Sequence, residues 1–177
     1  MGFIGYIKQD FKNNVGNTKG KLIALLFRTA CFIAVRRWRK IVFSPYLVFY
    51  KLFVEWTLGT ELPWGLDAGP GLSVFHGQAI VINKNVKIGK NCILRQSTTI
   101  GNSRDNEDCP VIGNNVDIGS NVCIIGSIFI GNNVIIGAGS VVVKNVPSNS
   151  VVVGNPARVI KNLVVHINQD ITIPLTV

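Results

Sequence analysis

Apolar positions in the C-terminal half of the chain recur every sixth residue. From residue 112 onward the units are Ile112-Gly113-Asn114-Asn115-Val116-Asp117, Ile118-Gly119-Ser120-Asn121-Val122-Cys123, Ile124-Ile125-Gly126-Ser127-Ile128-Phe129, Ile130-Gly131-Asn132-Asn133-Val134-Ile135 and Ile136-Gly137-Ala138-Gly139-Ser140-Val141. All five open on Ile, four place Gly next, and most carry a second apolar residue four places after the first. Neither a helical period of 3.6 nor a strand period of 2 explains glycine at every sixth place. A chain that makes a short strand, bends and starts again does explain it. The pattern predicts a parallel β-helix whose inward aliphatic residues stack from coil to coil, with Gly supplying the bends because it lacks a side chain. Gly-Asn turns in an ordinary β-sandwich recur at about 8–12 residues and do not match.

Counting back by sixes from Ile100 reaches Leu94, Ile88 and Ile82, with Val86, Cys92 and Thr98 in the second inward place. One further step falls on His76, a polar residue where the pattern expects Ile or Leu. Between Ile100 and Ile112 the rhythm gives way to a polar, acidic insert, residues 101–111. Its twelve-residue span equals two hexads, so the coil resumes in phase after an external loop, where binding groups tend to concentrate. Hexads end near Pro147, and Asn155-Pro156-Ala157-Arg158-Val159-Ile160-Lys161 is expected to close the helix. The expected organisation is a basic, apolar helical segment over residues 1–60, a β-helix over 61–163 and a tail or strand over 164–177.

Upstream of residue 60 the pattern is different. Residues 1–20, polar and Asn/Gly-rich, predict a loosely held start. Two apolar runs follow, Leu22 to Val35 and Ile41 to Leu58, separated by Arg36-Arg37-Trp38-Arg39-Lys40 and broken at Pro45, which predicts two helices. Neither reaches the roughly 20 uninterrupted apolar residues of a membrane-spanning helix. The mixture of aromatic residues and cations over residues 20–58 fits a segment lying at a membrane surface, and equally one that packs on a subunit or caps the β-helix. Of the formal net charge of +9, residues 1–60 carry ten Lys/Arg against Asp10 and Glu55, hence +8, leaving +1 for the rest. The interleaved aliphatic bulk argues against a nucleic-acid face. Cys31, Cys92, Cys109 and Cys123 show no CxxC spacing and no cleavable signal pattern opens the chain, which predicts a reducing, cytoplasmic setting.

With these elements placed, several motifs resemble a known family. Ile136-Gly137-Ala138-Gly139-Ser140-Val141-Val142, Val146-Pro147 and Gly154-Asn155-Pro156-Ala157 are similar to the closing coil of hexapeptide-repeat acyltransferases. Glu61-Leu62-Pro63, Gly69-Pro70-Gly71-Leu72, His76-Gly77, Ile80-Val81-Ile82 and Thr98-Thr99-Ile100-Gly101 resemble the serine O-acetyltransferase branch, nearest its exopolysaccharide-cluster members. The resemblance spans about residues 58–163 and implies an all-β, left-handed parallel β-helix of three hexads per coil. It also implies a homotrimer with active sites between subunits, and acetyl-CoA as donor.

Acetyl transfer to a hydroxyl needs a base for the hydroxyl proton and stabilisation of an oxyanion. Of the two histidines, His76 stands where the family places its base, whereas His166 matches nothing and reads as structural. A base histidine needs a carboxylate to orient it. The family's carboxylate lies fifteen residues upstream, at Glu61 here in place of its usual Asp, with Asp67 as the fallback or an acceptor-side residue. The resemblance assigns Gly101, Ser120, Ala138 and Gly139 to the pantetheine wall, and Lys144, Arg158 and Lys161 to the CoA phosphates. Serine-specific members hold their substrate with an acid before the histidine and an Arg-His pair in the insert; here those places hold Phe75 and Asp108-Cys109. A serine carboxylate and ammonium would go unpaired there, so an uncharged sugar hydroxyl, on a surface polysaccharide or its lipid-linked precursor, is the expected acceptor. The alternatives are a serine acetyltransferase and a non-catalytic trimeric scaffold. No cysteine is placed as a nucleophile, which favours direct transfer in a ternary complex. Two histidines cannot supply the three that a zinc hydratase on this fold requires, so no metal is expected.

Overall fold

The hexads become strands of two or three residues joined by tight corners. The computed structural model describes residues 2–103 and 108–163. In its β-helix the strands are β1 (Thr60–Glu61), β2 (Asp67–Ala68), β3 (Ser73–Val74), β4 (Ile80–Ile82), β5 (Lys87–Ile88), β6 (Ile93–Leu94), β7 (Thr99–Gly101), β8 (Val111–Ile112), β9 (Asp117–Ile118), β10 (Cys123–Ile125), β11 (Phe129–Ile130), β12 (Ile135–Ile136), β13 (Val141–Val142), β14 (Ser150–Gly154) and β15 (Ala157–Asn162). Every third strand pairs in parallel. Sheet I is β1-β4-β7-β10-β13, sheet II is β2-β5-β8-β11, and sheet III is β3-β6-β9-β12-β14 with β15 added antiparallel. The result is a three-sided prism of about four turns, closed below by the β14–β15 hairpin at Gly154-Asn155-Pro156-Ala157. The inward column Ile82, Ile88, Leu94, Ile100, Ile112, Ile118, Ile124, Ile130, Ile136 and Val142 is at most 4% exposed. Each such side chain contributes about 1.5–3 kcal/mol by leaving water.

Glycine's role at the corners differs from the expectation. Gly89, Gly113, Gly119 and Gly131 do not adopt the left-handed conformation; the residue two places later does, at Asn91, Asn115, Asn121 and Asn133. Glycine is required because the coils touch: a Cβ built on Gly113 would stand 2.7 Å from the Gly131 carbonyl. Asn tolerates the left-handed turn. Its side chain also bonds to the next coil, in the chain Asn91 to Asn115 (3.2 Å), Asn115 to Asn133 (2.9 Å) and Asn133 to Asn149 (2.8 Å).

The coils are not uniform. Val81 pairs with Thr99, eighteen residues on, whereas Thr99 pairs with Cys123, twenty-four on, so the insert adds one whole hexad and preserves phase. The first coil is longer by two: Thr60 pairs with Ile80 and Val74 with Leu94, each twenty residues apart. Counting by sixes therefore misplaces His76. Val74 holds the inward position, and His76 lies on the corner that absorbs the two extra residues.

The N-terminal residues are firmly held, contrary to expectation. Helices α1 (Phe3–Lys8), α2 (Thr18–Ala34), α3 (Arg37–Val42) and α4 (Ser44–Tyr50) are followed by a π-helical turn, Lys51–Thr57. The basic run thus forms a helix of its own, and Pro45 begins α4 rather than merely interrupting a longer helix. The first coil has no neighbour above it, and the helical segment supplies the missing partners. Asn14 donates to the Leu72 carbonyl (2.9 Å) and Asn17 to that of Val74 (2.9 Å). Asp10 accepts from the Gly71 and Leu72 amides (2.8 and 3.0 Å) and pairs with Arg28 (2.8 Å). Arg28 donates in turn to the Ala68 and Gly69 carbonyls (2.7 and 2.6 Å). Burial works against the Arg28 charge, but Asp10 outweighs it and raises the guanidinium pKa. Cys31 packs in this interface and Cys92 in the prism, as expected of apolar positions. No helix among the described residues is long and apolar enough to cross a membrane.

Removing one partner of a buried pair leaves the other charge uncompensated. Asp10→Ala is expected to destabilise the protein by about 3–5 kcal/mol, read from the urea midpoint of unfolding.

Candidate active site

The two extra residues of the first coil fall between sheets III and I, on what is here called edge III–I. The chain turns there through His76 (φ 64°), Gly77 (φ 60°) and Ala79 (φ 53°), three left-handed residues within four positions. For His and Ala that conformation costs on the order of 1 kcal/mol each, a strain that tends to collect at functional positions. The turn is pinned from inside by the buried Thr60 hydroxyl, which donates to the Gly77 carbonyl. The His76 side chain is exposed and makes no hydrogen bond among the described residues.

Below His76 the same edge continues as a backbone ladder. The Ser97 amide donates to Gln78 O (2.8 Å), Asn121 to Gln96 O (3.0 Å) and Gly139 to Ser120 O (2.8 Å). Three of the four residues assigned to the pantetheine wall, Ser120, Ala138 and Gly139, thus share the edge that carries His76. Gln96, which the sequence reading passed over, lies between them. Its side-chain oxygen is buried and has no hydrogen-bond partner among the described residues. An orphaned acceptor costs about 1–3 kcal/mol, a deficit that a ligand N–H or O–H would remove.

The remaining candidates lie elsewhere. Gly101, Lys144 and the insert residues Asp108 and Cys109 follow the edge between sheets I and II, and Glu61 stands on β1 of sheet I, paired with Val81. Glu61 follows Thr60, which holds the Gly77 carbonyl, so His76 and Glu61 are each one residue from a bonded pair, although no hydrogen bond joins their side chains. Glu61 faces a cleft of about 410 Å³ with Lys51, Glu55, Trp64 and Lys84, none of which the sequence reading singled out. Burial raises the Glu55 carboxyl pKa, Lys51 opposes this, and Glu61 adds to it. Asp67 is exposed on sheet II opposite Lys87, across the prism from His76. Arg158 and Lys161 are exposed on β15, opposite Val153 and Val151. Residues 104–107 of the insert and the tail with His166 lie outside the described residues.

Phe75, half-buried beside His76, has a neighbour the sequence reading missed. The Arg95 guanidinium lies 5.9 Å from its ring centre. Arg95 is not a free cation, because it pairs with Asp117 and also donates to the Ile118 carbonyl (3.2 Å). The only sequence signal was a cation directly after inward Leu94. The four cysteine thiols are all shifted toward the protonated form. Burial pushes the Cys92 thiol up to about 11 and Cys31 up to about 12. Cys123 is also raised by burial, and Cys109 by burial and then by Asp108.

A three-sided β-helix with a histidine edge and a ladder of small residues beside it is the framework of an acyl-transferring enzyme, and known proteins agree. No family model matches the chain. A protein of Escherichia coli (strain K12) described as "Putative colanic acid biosynthesis acetyltransferase WcaB" is 41% identical over 156 residues, covering 85% of this chain and 96% of that protein. The serine acetyltransferase of Neisseria gonorrhoeae superposes with a TM-score of 0.77 at 28% identity, covering 92% of this chain and 66% of that one. The serine acetyltransferase of Brucella abortus strain S19, solved in complex with coenzyme A, gives 0.76 at 25%, covering 91% and 68%. The fold is the left-handed β-helix of the hexapeptide-repeat O-acetyltransferases, and the protein is an enzyme of that class. Within it, the chain belongs to the family of the WcaB-type acetyltransferases, with the serine acetyltransferases as relatives.

Thiols held protonated should be dispensable. Cys109→Ser/Cys123→Ser is expected to keep wild-type turnover, and intact-mass spectra of protein incubated with acetyl-CoA should show no acetyl adduct.

Proposed function

We propose that the enzyme transfers acetyl from acetyl-CoA to a hydroxyl of a sugar, on a surface polysaccharide or its lipid-linked precursor. The observation that carries this is the acceptor side of His76. Phe75 replaces an acid there, and among the described residues the cation beside it, Arg95, is already paired with Asp117. Beside Phe75 an amino acid's ammonium lacks the acid that would pair it and its carboxylate meets an Arg95 already engaged, whereas a neutral sugar face packs on an aromatic ring without that cost.

In this reading an imidazole nitrogen of His76 takes the hydroxyl proton as the oxygen attacks the thioester carbonyl. Collapse of the tetrahedral intermediate breaks the C–S bond, and the departing thiolate takes the proton back from the imidazolium. Glu61 orients the imidazole and stabilises its charged form. The pantetheine arm runs along Ser120, Ala138 and Gly139, with the unpartnered Gln96 oxygen beside it. Lys144, Arg158 and Lys161 meet the phosphates. Candidate residues divided between two edges of one prism are completed in a homotrimer, where the His76 edge of one subunit faces the insert edge of the next; this supports sites between subunits. Free cysteines and the need for acetyl-CoA are consistent with work on the cytoplasmic side.

His76→Asn keeps a residue that tolerates the left-handed turn while removing the base. It should lower thiol release from acetyl-CoA by on the order of 10²-fold or more with the assembly intact, and an unchanged rate would take His76 out of the mechanism. A panel of sugars and oligosaccharides against free serine tests the acceptor. Turnover should follow a sugar, and efficient acetylation of serine with none of any sugar would return the enzyme to the serine branch.

A further inference from the structure

The helical segment has two faces, and only one is used by the fold. Leu47, Tyr50 and Val54 are buried, whereas Val48, Phe49, Leu52 and Trp56 on the outer side of α4 and the following turn are exposed, Trp56 by 71%. Helix α3 adds exposed Trp38 and Ile41, the latter 69% exposed. The patch is continuous. Trp38, Phe43 and Tyr46 line one outward cleft of about 530 Å³ with Phe3 and Phe32; the Tyr46 ring touches Phe49 (6.3 Å), and Phe49 stacks on Phe53 (5.4 Å). Arg39 lies over the Phe32 ring at 4.0 Å, and Arg36, Arg37 and Lys40 are exposed beside it.

We infer that this outer face of α3, α4 and residues 51–57 is a docking surface for an anionic lipid bilayer. Aromatic rings and aliphatic side chains ringed by cations are what an interfacial segment presents, with the rings at the acyl boundary and the cations at lipid phosphates. Charge selects the occupant. Two copies of this face would oppose Arg36, Arg37 and Lys40 to themselves, and in residues 1–60 the acids are Asp10, buried in its pair with Arg28, and Glu55 in the Glu61 cleft. A negatively charged bilayer supplies the missing counter-charge. The face lies on the helical segment that is clamped to the first coil, the coil that carries the His76 turn. The inference stands independently of which hydroxyl is acetylated.

The test is co-sedimentation of the full chain with phosphatidylcholine vesicles with and without phosphatidylglycerol. Binding should require the anionic lipid and weaken with added salt. Arg36→Glu/Arg37→Glu/Lys40→Glu should lower the partition coefficient by on the order of 10²-fold. Leu52→Ser/Trp56→Ser, at exposed positions that leave the inward face intact, should lower it as well, and both variants should keep wild-type circular dichroism and thiol release. The inference is overturned if the wild type ignores anionic vesicles, or if the variants bind them as the wild type does while losing native mass, which would assign the face to a second copy.

Discussion

A buried charge pair, Asp10 with Arg28, sits where two kinds of structure meet. A parallel β-helix has an inherent difficulty at its ends, because the terminal coil exposes amides and carbonyls that every internal coil satisfies with its neighbours. Here the end is finished by side chains. Asp10 receives two amides of the first coil, Arg28 caps two carbonyls, and Asn14 and Asn17 take two more. The first coil carries both Glu61 and the His76 turn, so the geometry of both candidate catalytic residues depends on this cap. The helical segment is thus part of the enzyme's framework on one face, whatever its other face contacts.

The internal coils were legible because their physics is local and repeated. An aliphatic residue every sixth place and a glycine beside it report directly on stacking, and even the insert kept phase because it adds one whole hexad. Legibility failed where a neighbour was missing. The count by sixes assumed a uniform coil and so read His76 as an interruption of the core; two added residues instead move it onto an exposed, strained corner, with Val74 inside. Residues 1–20 read as loose because Asn and Gly favour turns, yet their partners lie about sixty positions away, a separation no local pattern reveals. Glycine was assigned to the right places for the wrong reason, since backbone contact between coils excludes a side chain and Asn makes the left-handed turn.

The candidate site was readable as a set of residue types but not as an arrangement. Ser120, Ala138 and Gly139 fall on one edge with His76; Gly101, Asp108, Cys109 and Lys144 follow another, and Glu61 stands on the sheet between them. Gln96, Trp64, Glu55 and Arg95 carried no signal in the repeat, because their significance depends on what stands one coil away. Arg95 also changes the argument about the acceptor. The region beside Phe75 does contain a cation, and it is paired with Asp117.

The stacked glycines have one more consequence. Because each lies against the backbone of the following coil, the interior of the prism behaves like a crystal lattice: an insertion is compatible with it only as a whole repeat, as the hexad-long insert is. Departures from the lattice, like surface defects, are confined to its terminations, where one neighbour is absent. The first coil is two residues long and the last, from Ile135 to its partner Val151, two residues short. The strained turn of His76 occupies such a termination, where a side chain can leave the repeat without separating the coils beneath it.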